Sequence, residues 1–154
     1  MNIDIGLSET NRDAAITALK TVLGETYALY SKTHGYHWNV TGPNFQALHD
    51  MFMTQYTDLW EALDTIAERI RALGAFAPGS ASEILDAASI RPDNGVPDAA
   101  TMVSNLARGQ ETLAKAIRDA IASAEQTGDD VTVDLLIQRA TIADKTAWML
   151  RASL

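Results

Sequence analysis

Apolar side chains recur with helical spacing along nearly the whole sequence, and they do so in four long segments. The first segment begins near Ser8–Thr10, where SETNRD offers capping oxygens, and runs to about Trp38. The break VTGPN follows it. Asn44 is then placed to cap a second helix that ends near Leu73, just before Gly74. The first half of the chain therefore predicts a hairpin of two long helices.

A 23-residue connector over residues 75–97 holds three of the four prolines and separates this hairpin from the next one. Within it, SASEILDAA (residues 80–88) predicts a short helix. Asp98 is placed to cap a third long helix that runs to about Gln126, and TGDD divides it from a fourth that continues to about Ala152. Two helical hairpins joined by one long crossover predict an all-α four-helix bundle, formed by residues 1–154 as a single domain.

The composition excludes several classes of function. The 154 residues include no cysteine, so disulfides, thiolate metal sites and cysteine nucleophiles are excluded. The net charge is −8, and neither MNIDIGLSE nor the final WMLRASL supplies the basic cluster that an acidic protein needs for binding nucleic acid. No apolar run is long enough for a membrane span, and MNIDIGLSET does not resemble a secretion signal. We therefore expect a cytoplasmic protein without direct affinity for DNA or membranes.

The predicted second helix has a strip of polar residues beside its core face. His49, Asp64 and Glu68 share this strip with Met53 and Trp60. A solvated strip rarely carries tryptophan and methionine, so we expect this one to be buried against another subunit. The neighbouring core face, which packs inside the bundle, is predicted to consist of Phe45, Leu48, Phe52, Leu59, Leu63, Ile66 and Ile70.

Distance decides how these polar residues can act together. Since His49 and Asp64 are separated by roughly 22 Å at the standard helical rise, one metal ion cannot contact both in one chain. His37 lies at the His49 end, across the Gly42-Pro43 break, and Glu68 lies one turn beyond Asp64. Two antiparallel copies of the helix about a two-fold axis would bring the histidines of one chain to the carboxylates of its partner. Imidazole and carboxylate ligands suit iron, zinc or manganese. The alternative is that the histidines are polar interface residues and the acids a solvated helix face.

Three motifs also resemble those of the Dps family of miniature ferritins (DNA-binding proteins from starved cells). They are YHWNVTGPNF with the following His49, DTIAERI at 64–70, and KTAWML at 145–150, and the resemblance extends over most of the chain. It implies a ferritin-like fold and a homododecameric shell built from two-fold dimers. It also implies ferroxidase activity, in which Fe²⁺ is oxidised with H₂O₂ at centres shared between chains. The ferric iron would be stored in the shell, and DNA would thereby be protected from oxidative damage.

The resemblance implies that His37, His49, Asp64 and Glu68 are the metal ligands. It also reveals a departure, because the family has a carboxylate four residues after the second histidine, where this chain has Met53. Thioether is a soft ligand that matches iron poorly. The first iron position keeps His37 and both acids, whereas the second keeps His49 alone, and Asp50 is rotated too far around the helix to substitute well. An alternative is therefore a Dps-like shell with an impaired centre that binds one metal, for which zinc could substitute.

Other residues receive roles by the same resemblance. Trp38 is implied to intercept oxidising radicals, although simple packing explains it equally well. Asp130 and Asp134, with Asp129 beside them, are implied to line the three-fold pores through which Fe²⁺ enters the shell. Since acids stabilise helix N-termini generally, Asp129 and Asp130 have an ordinary explanation too.

Several further expectations complete the sequence reading. His34 is expected to be a surface or interface histidine, and Tyr36 and Trp60 to serve packing. The acids expected to be solvated helix charges are Glu9, Glu25, Glu61 and Glu83. A structural DNA-compacting protein is the rival class of function, and the missing basic tail argues against it.

Overall fold

A computed structural model of the chain describes residues 3–154, and it consists of five α-helices. They are α1 (Glu9–Asn39), α2 (Phe45–Ala72), α3 (Ala81–Leu85), α4 (Ala99–Thr127) and α5 (Asp130–Arg151). The predicted four-helix bundle with a short helix in its crossover is confirmed. Met1 and Asn2, which belong to the N-terminal segment predicted to lack a signal and a basic arm, lie outside the described residues. None of the described helices is both long and apolar enough to cross a bilayer.

The bundle is organised around α1, which packs along both α2 and α4, while α5 packs along α4. Side chains from all four long helices meet in one apolar core, because each helix turns its periodic apolar face inward. Three of the four long helices have capped N-termini: the side chains of Ser8, Asp98 and Asp129 accept backbone amides of the following turn, and the caps at Ser8 and Asp98 lie where the sequence predicts them. The largest fully buried side chains include Leu19, Leu23, Phe52, Leu59, Ile66, Leu106, Leu113 and Ile117.

The crossover is fastened to α1 by two adjacent residues. At Gly24, an added Cβ would lie 2.9 Å from the carbonyl oxygen of Ile84, so glycine is required for the close approach of α3. Glu25 is only 3% exposed, and its carboxylate accepts the backbone amides of Ser89 (2.7 Å) and Ile90 (3.0 Å) and the Ser89 hydroxyl (2.5 Å). The expectation that Glu25 is a solvated charge is therefore wrong, since it satisfies backbone donors that the connector would otherwise bury.

The turn between α1 and α2 depends on Gly42, whose φ of +115° is strained for any residue with a side chain. This turn brings the first turns of α2 beside the last turn of α1. Asn44 does precede α2, but its φ and ψ of −99° and 18° differ from those of a capping residue, and its side chain makes no cap hydrogen bond. Asn44 thus occupies the predicted position without performing the predicted role.

The other end of α2 is held by a buried ion pair. The guanidinium of Arg69 donates to Asp129 (2.6 Å) and to the Thr132 hydroxyl (2.9 Å) at the start of α5. Burial alone would raise the pKa of Asp129, but the hydrogen bonds from Thr132 and Arg69 outweigh it and hold the pKa below its ordinary value. A second, bidentate pair between Arg139 and Asp58 also joins α5 to α2. The backbone under Asp64 and Glu68 is therefore fixed on both sides.

Candidate metal centre

His37 and His49 form a reciprocal pair at the junction of α1 and α2. The Nδ1 atom of each ring lies 2.9 Å from the backbone carbonyl oxygen of the other residue. The two rings stack with centroids 3.7 Å apart and an angle of 22° between their planes. His37 is 9% exposed, and its carbonyl is one of those that the end of α1 leaves without a helical partner. Each histidine therefore fixes the orientation of the other.

This arrangement determines where the proton sits on each neutral ring. A backbone carbonyl can accept hydrogen bonds but cannot donate them, so Nδ1 must carry the proton in both residues. In the neutral form, the lone pair is then on Nε2, the atom left for a metal ion or another donor. Metal-binding histidines are commonly oriented through a carbonyl in this way. The pair therefore directs two Nε2 atoms that are suited to bind a metal ion.

The carboxylates of the predicted site lie at the far end of α2. Asp64 and Glu68 are one helical turn apart, and both are exposed. Asp64 borders a surface hollow with Tyr27, Trp60, Pro78 and Ile84. Within residues 3–154, no three histidine or acidic side chains come close enough together to hold a metal ion. The single chain therefore supplies the predicted ligands as two separate pairs.

Met53 lies one turn after His49 and is 44% exposed. Trp60, on the same strip, is 61% exposed. Asp50 was considered as a replacement for the missing carboxylate. Its two carboxylate oxygens both accept hydrogen bonds from the side-chain amide of Gln46, each at 3.0 Å. The strip of α2 that was predicted to meet another subunit is thus uncovered in one chain and carries two large apolar side chains.

Phe45 is more exposed than its predicted place in the core implies. Phe45 was placed on the core face of α2, but it is 42% exposed because it forms the first turn of the helix at the end of the bundle. Its ring lies 5.1 Å from that of His49. Phe45 therefore shields the histidine pair from the outside rather than filling the bundle core.

His34 and Trp38 lie beside the histidine pair. The His34 ring stacks on Tyr56 with centroids 4.0 Å apart, and its Nδ1 lies 3.2 Å from the hydroxyl of Tyr30. Burial, and then the proximity of His37, lower the pKa of His34 below its ordinary value. Trp38 is 67% exposed and its ring lies 4.3 Å from His34. The radical-intercepting role of Trp38 stays a prediction.

Sequence reasoning missed two tyrosines beside this centre, Tyr30 and Tyr56. Tyr56 lies edge-on to His37 at 5.1 Å, and Tyr30 lies 6.5 Å from Tyr56 and 5.9 Å from Trp60. A signal was present, because Tyr30, His34 and His37 recur at helical spacing and Tyr56 and Trp60 do so on the facing helix. Arg69 was missed for another reason: its partners are 60 and 63 residues away along the chain.

Tyr36 follows the expectation of a packing role. Its hydroxyl donates to Asp93 and accepts the amide of Asn105 at 2.9 Å. Burial, and then the hydrogen bond to Asp93, raise the pKa of Tyr36 well above its ordinary value. Tyr36 thus ties the crossover to α1, and its phenol is directed away from the histidine pair.

The three acids at the start of α5 have different environments. Asp129 is 3% exposed and is the helix cap described above, which leaves it no access to passing ions. Asp130 and Asp134 are exposed, and Asp134 accepts the amide of Gln138 at 2.7 Å. The pore roles of Asp130 and Asp134 depend on neighbouring subunits and stay predictions.

A bundle of four long helices with one crossover, with a histidine pair shared by its first two helices and a carboxylate pair on the second, defines the ferritin-like class. The family model described as a ferritin-like domain matches residues 16–154. The chain is 36% identical over 126 residues to a DNA protection during starvation protein of Brevibacillus brevis, which covers 82% of this chain and 85% of the relative. It is 38% identical over 152 residues, 97% of its length and 85% of the relative's, to an uncharacterised low temperature-induced protein of Nostoc.

Solved structures agree with these sequence relatives. The Dps protein of Vibrio cholerae, described as a member of a superfamily of ferritin-like diiron-carboxylate proteins, superposes with a TM-score of 0.92 at 35% identity. The match covers 99% of this chain and 96% of that one. DpsC of Streptomyces coelicolor superposes with a TM-score of 0.95 at 28% identity and covers 99% and 90% of the two chains. The chain belongs to the Dps family of ferritin-like proteins.

Proposed function

We propose that this protein is a miniferritin, a ferroxidase that binds Fe²⁺ as substrate at sites shared between two subunits. It oxidises the iron with H₂O₂ and stores the ferric product inside a homododecameric shell in the cytoplasm. Each site takes His37 and His49 from one chain and Asp64 and Glu68 from its two-fold partner. Removing Fe²⁺ and peroxide together prevents formation of hydroxyl radicals, so DNA is protected without being bound.

The observation that carries this proposal is the reciprocal histidine pair. Two stacked rings whose Nδ1 atoms are both occupied leave two Nε2 atoms free at the surface strip of α2. Neutral nitrogens alone bind iron weakly, and the charge that stabilises Fe³⁺ over Fe²⁺ must come from carboxylates. Asp64 and Glu68 are exposed at the other end of the same strip, where a two-fold axis would deliver them to the partner's histidines.

Exposed apolar residues support the assembly. Trp60 and Met53 mark the strip of α2 that would face the two-fold partner. A second set of exposed apolar side chains is distributed along α5, where further subunits of a shell would cover it: it comprises Val131, Ile137, Ile142, Trp148 and Met149. Sedimentation should detect twelve subunits, and a stable monomer at micromolar concentration would contradict both the assembly and the shared site.

Met53 supports a variant of the same function in which the centre is impaired. The first iron position has one histidine and two carboxylates, but the second has His49 without a charged partner from its own helix, because Asp50 is engaged by Gln46. The first position should therefore bind one metal ion tightly, with zinc as a possible substitute for iron, and the second should fill weakly.

Anaerobic titration of the metal-free shell with Fe²⁺ separates these possibilities. One tight Fe²⁺ per subunit would support the impaired centre, and two would support a complete one. The shared site would be contradicted if the wild-type shell bound far less than one Fe²⁺ per subunit and the Glu68→Gln variant bound just as much. Addition of H₂O₂ to the loaded shell then measures oxidation directly by the absorbance of Fe³⁺.

The acidity of the chain bears on how DNA is protected. With a net charge of −8 over its 154 residues, the protein should not shift duplex DNA in a gel at low-micromolar concentration in about 150 mM salt. A shift that persists at this salt concentration would favour the DNA-compacting alternative. Binding seen only at low pH or through bridging Mg²⁺ would not.

A further inference from the structure

We propose that the aromatic residues between α1 and α2 form an electron path that joins the two iron sites of a dimer. The path consists of Tyr56, Tyr30 and Trp60. It lets one Fe²⁺ at each site reduce a single peroxide together. This inference rests on the proposed function for the identity of the two sites, and it gives Tyr56, Tyr30 and Trp60 a part in the oxidation.

The rings form a continuous series along the middle of α2, from the histidine pair towards Asp64. Tyr56 is 5.1 Å from the His37 ring, Tyr30 is 6.5 Å from Tyr56, and Trp60 is 5.9 Å from Tyr30, all measured between centroids. Trp60 precedes Asp64 by one turn, and both border the same surface hollow. The series therefore begins in contact with the histidine pair and ends beside the carboxylate pair of the same chain.

The two-fold symmetry of the proposed dimer determines which sites this series of rings connects. The histidines of one chain and the carboxylates of that same chain belong to two different sites, because roughly 22 Å of helix separates them. A path within one chain thus runs from one site of the dimer to the other. The symmetric partner supplies a second, identical path in the opposite direction.

The chemistry of peroxide creates a need for such a path. Reduction of H₂O₂ to two molecules of water breaks the O–O bond and consumes two electrons and two protons. A single Fe²⁺ supplies one electron and would leave a hydroxyl radical. A site whose second position is weakened by Met53 holds only one tightly bound ion. The second electron must then come from outside that site.

The aromatic path supplies this second electron from the Fe²⁺ at the other site. Fe²⁺ at one site gives the first electron to peroxide, and Tyr56 gives the second and releases its phenolic proton. The electron vacancy moves through Tyr30 to Trp60, where Fe²⁺ at the other site fills it, and Tyr56 regains a proton. The sum is two Fe²⁺, one H₂O₂ and two protons giving two Fe³⁺ and two H₂O. The hydroxyl of Tyr30 lies 3.2 Å from Nδ1 of His34, a neighbour that can take its proton while Tyr30 is oxidised.

The test compares Tyr56→Phe and Tyr30→Phe with Tyr36→Phe. Phenylalanine preserves ring packing but is far harder to oxidise, and the phenol of Tyr36 lies off the path against Asp93 and Asn105. Each shell is loaded anaerobically with one Fe²⁺ per subunit and mixed with limiting H₂O₂. The wild type and Tyr36→Phe should form two Fe³⁺ per peroxide, with a transient tyrosyl radical by freeze-quench EPR and little trapped hydroxyl radical. Tyr56→Phe and Tyr30→Phe should approach one Fe³⁺ per peroxide, with more trapped radical.

Equal yields in all four proteins would overturn the path while leaving the ferroxidase function intact. A shell that oxidised no iron would contradict the proposed function instead.

A second measurement tests electron transfer along the path in the absence of iron. Pulse radiolysis of the metal-free shell with azide radical oxidises tryptophan. Conversion of the indolyl radical to a phenoxyl radical should be first-order in the wild type and in Tyr36→Phe, and should be slowed at least several-fold in Tyr30→Phe. Its absence from the wild type would overturn the path whatever the iron chemistry.

Discussion

The two ends of α2 present the two halves of the proposed metal site in different states. At the first end, His37 and His49 hold each other through reciprocal hydrogen bonds and a stacked contact, and His37 is largely buried. At the other end, Asp64 and Glu68 are exposed carboxylates on a rigid backbone. The neutral ligands are fully arranged by one chain, whereas the charged ligands are left in water.

This difference follows from the cost of burying each kind of group. A neutral imidazole that donates to a carbonyl is stable inside a protein, but an isolated carboxylate is not. If the charged pair were folded into the same chain as the histidines, the metal-free protein would have to bury two unpaired charges. Dividing the ligands between two chains delays that cost until the partner and the metal arrive. The site can thus be rigid in its neutral half and still fold without metal.

The backbone beneath the carboxylates is where a single change should have the largest effect. Arg69→Ala leaves Asp129 buried without its guanidinium, which should destabilise the fold by about 3 kcal/mol. Because the pKa of Asp129 is depressed in the folded state, its contribution in the wild type is complete above the unfolded pKa of about 3.9 and is lost as pH falls through the lower folded value. Urea unfolding at pH 7 and at one fixed protein concentration measures the change.

The control for this variant is Arg118→Ala, which removes an exposed pair with Asp144 between α4 and α5. Exposed pairs contribute little, so its unfolding midpoint should barely move. The ring signals of His37 and His49 in NMR spectra should be unchanged in both variants, since the histidine end has its own support. Disturbed histidine signals in Arg69→Ala would mean that the two ends of α2 are not independent.

The same contrast shows what could be predicted from the sequence. The four long helices and their order followed from periodicity, and the histidine pair was placed at one end because its members are only 12 residues apart. Glu25 could not be recognised as buried, because its partners Ser89 and Ile90 lie 64 and 65 residues away in a connector without periodicity. The union of Asp64 and Glu68 with the histidines was predicted from their separation along the helix, but it needs a second chain, so it stays a prediction.

Removing charge from the exposed pair should have the next largest effect. Glu68→Gln keeps the shape of the side chain but takes one of two negative charges from the first iron position. Fe²⁺ affinity there should fall at least tenfold, or about 1.4 kcal/mol. Anaerobic titration measures the affinity, with Glu125→Gln on α4 as a control of equal net charge and exposure. Similar losses in the two variants would assign the effect to overall charge rather than to a ligand.

Adding a negative charge at the histidine end should bring the Fe²⁺ affinity of the second iron position closer to that of the first. Met53→Glu places a carboxylate one turn from His49, so the second iron position should fill at lower Fe²⁺ and peroxide-driven oxidation should speed up. Since Met53 is 44% exposed, its stability cost should lie at the low end of the roughly 1–3 kcal/mol for a buried unpaired charge.

Thr54→Glu is the matched control for Met53→Glu, because it adds the same charge at an exposed position 100° around the helix. It should leave both stoichiometry and rate unchanged. If the wild type already binds two Fe²⁺ per site tightly and Met53→Glu alters nothing, another residue has replaced the missing ligand and the argument from charge deficit is wrong.

The smallest effect is expected at Asp134, an exposed carboxylate near the start of α5. If three copies of this exposed carboxylate surround a pore, they raise the local concentration of Fe²⁺ without taking part in its oxidation. Asp134→Asn should therefore slow initial oxidation roughly two- to threefold at low Fe²⁺ and leave the rate at saturating Fe²⁺ unchanged. Because the effect is electrostatic and acts through water, it should shrink as salt is raised above about 150 mM. Asp119→Asn, an exposed acid on α4, is the control for net charge. An equal loss at low and saturating Fe²⁺ would instead place Asp134 in the oxidation chemistry or in the assembly of the shell.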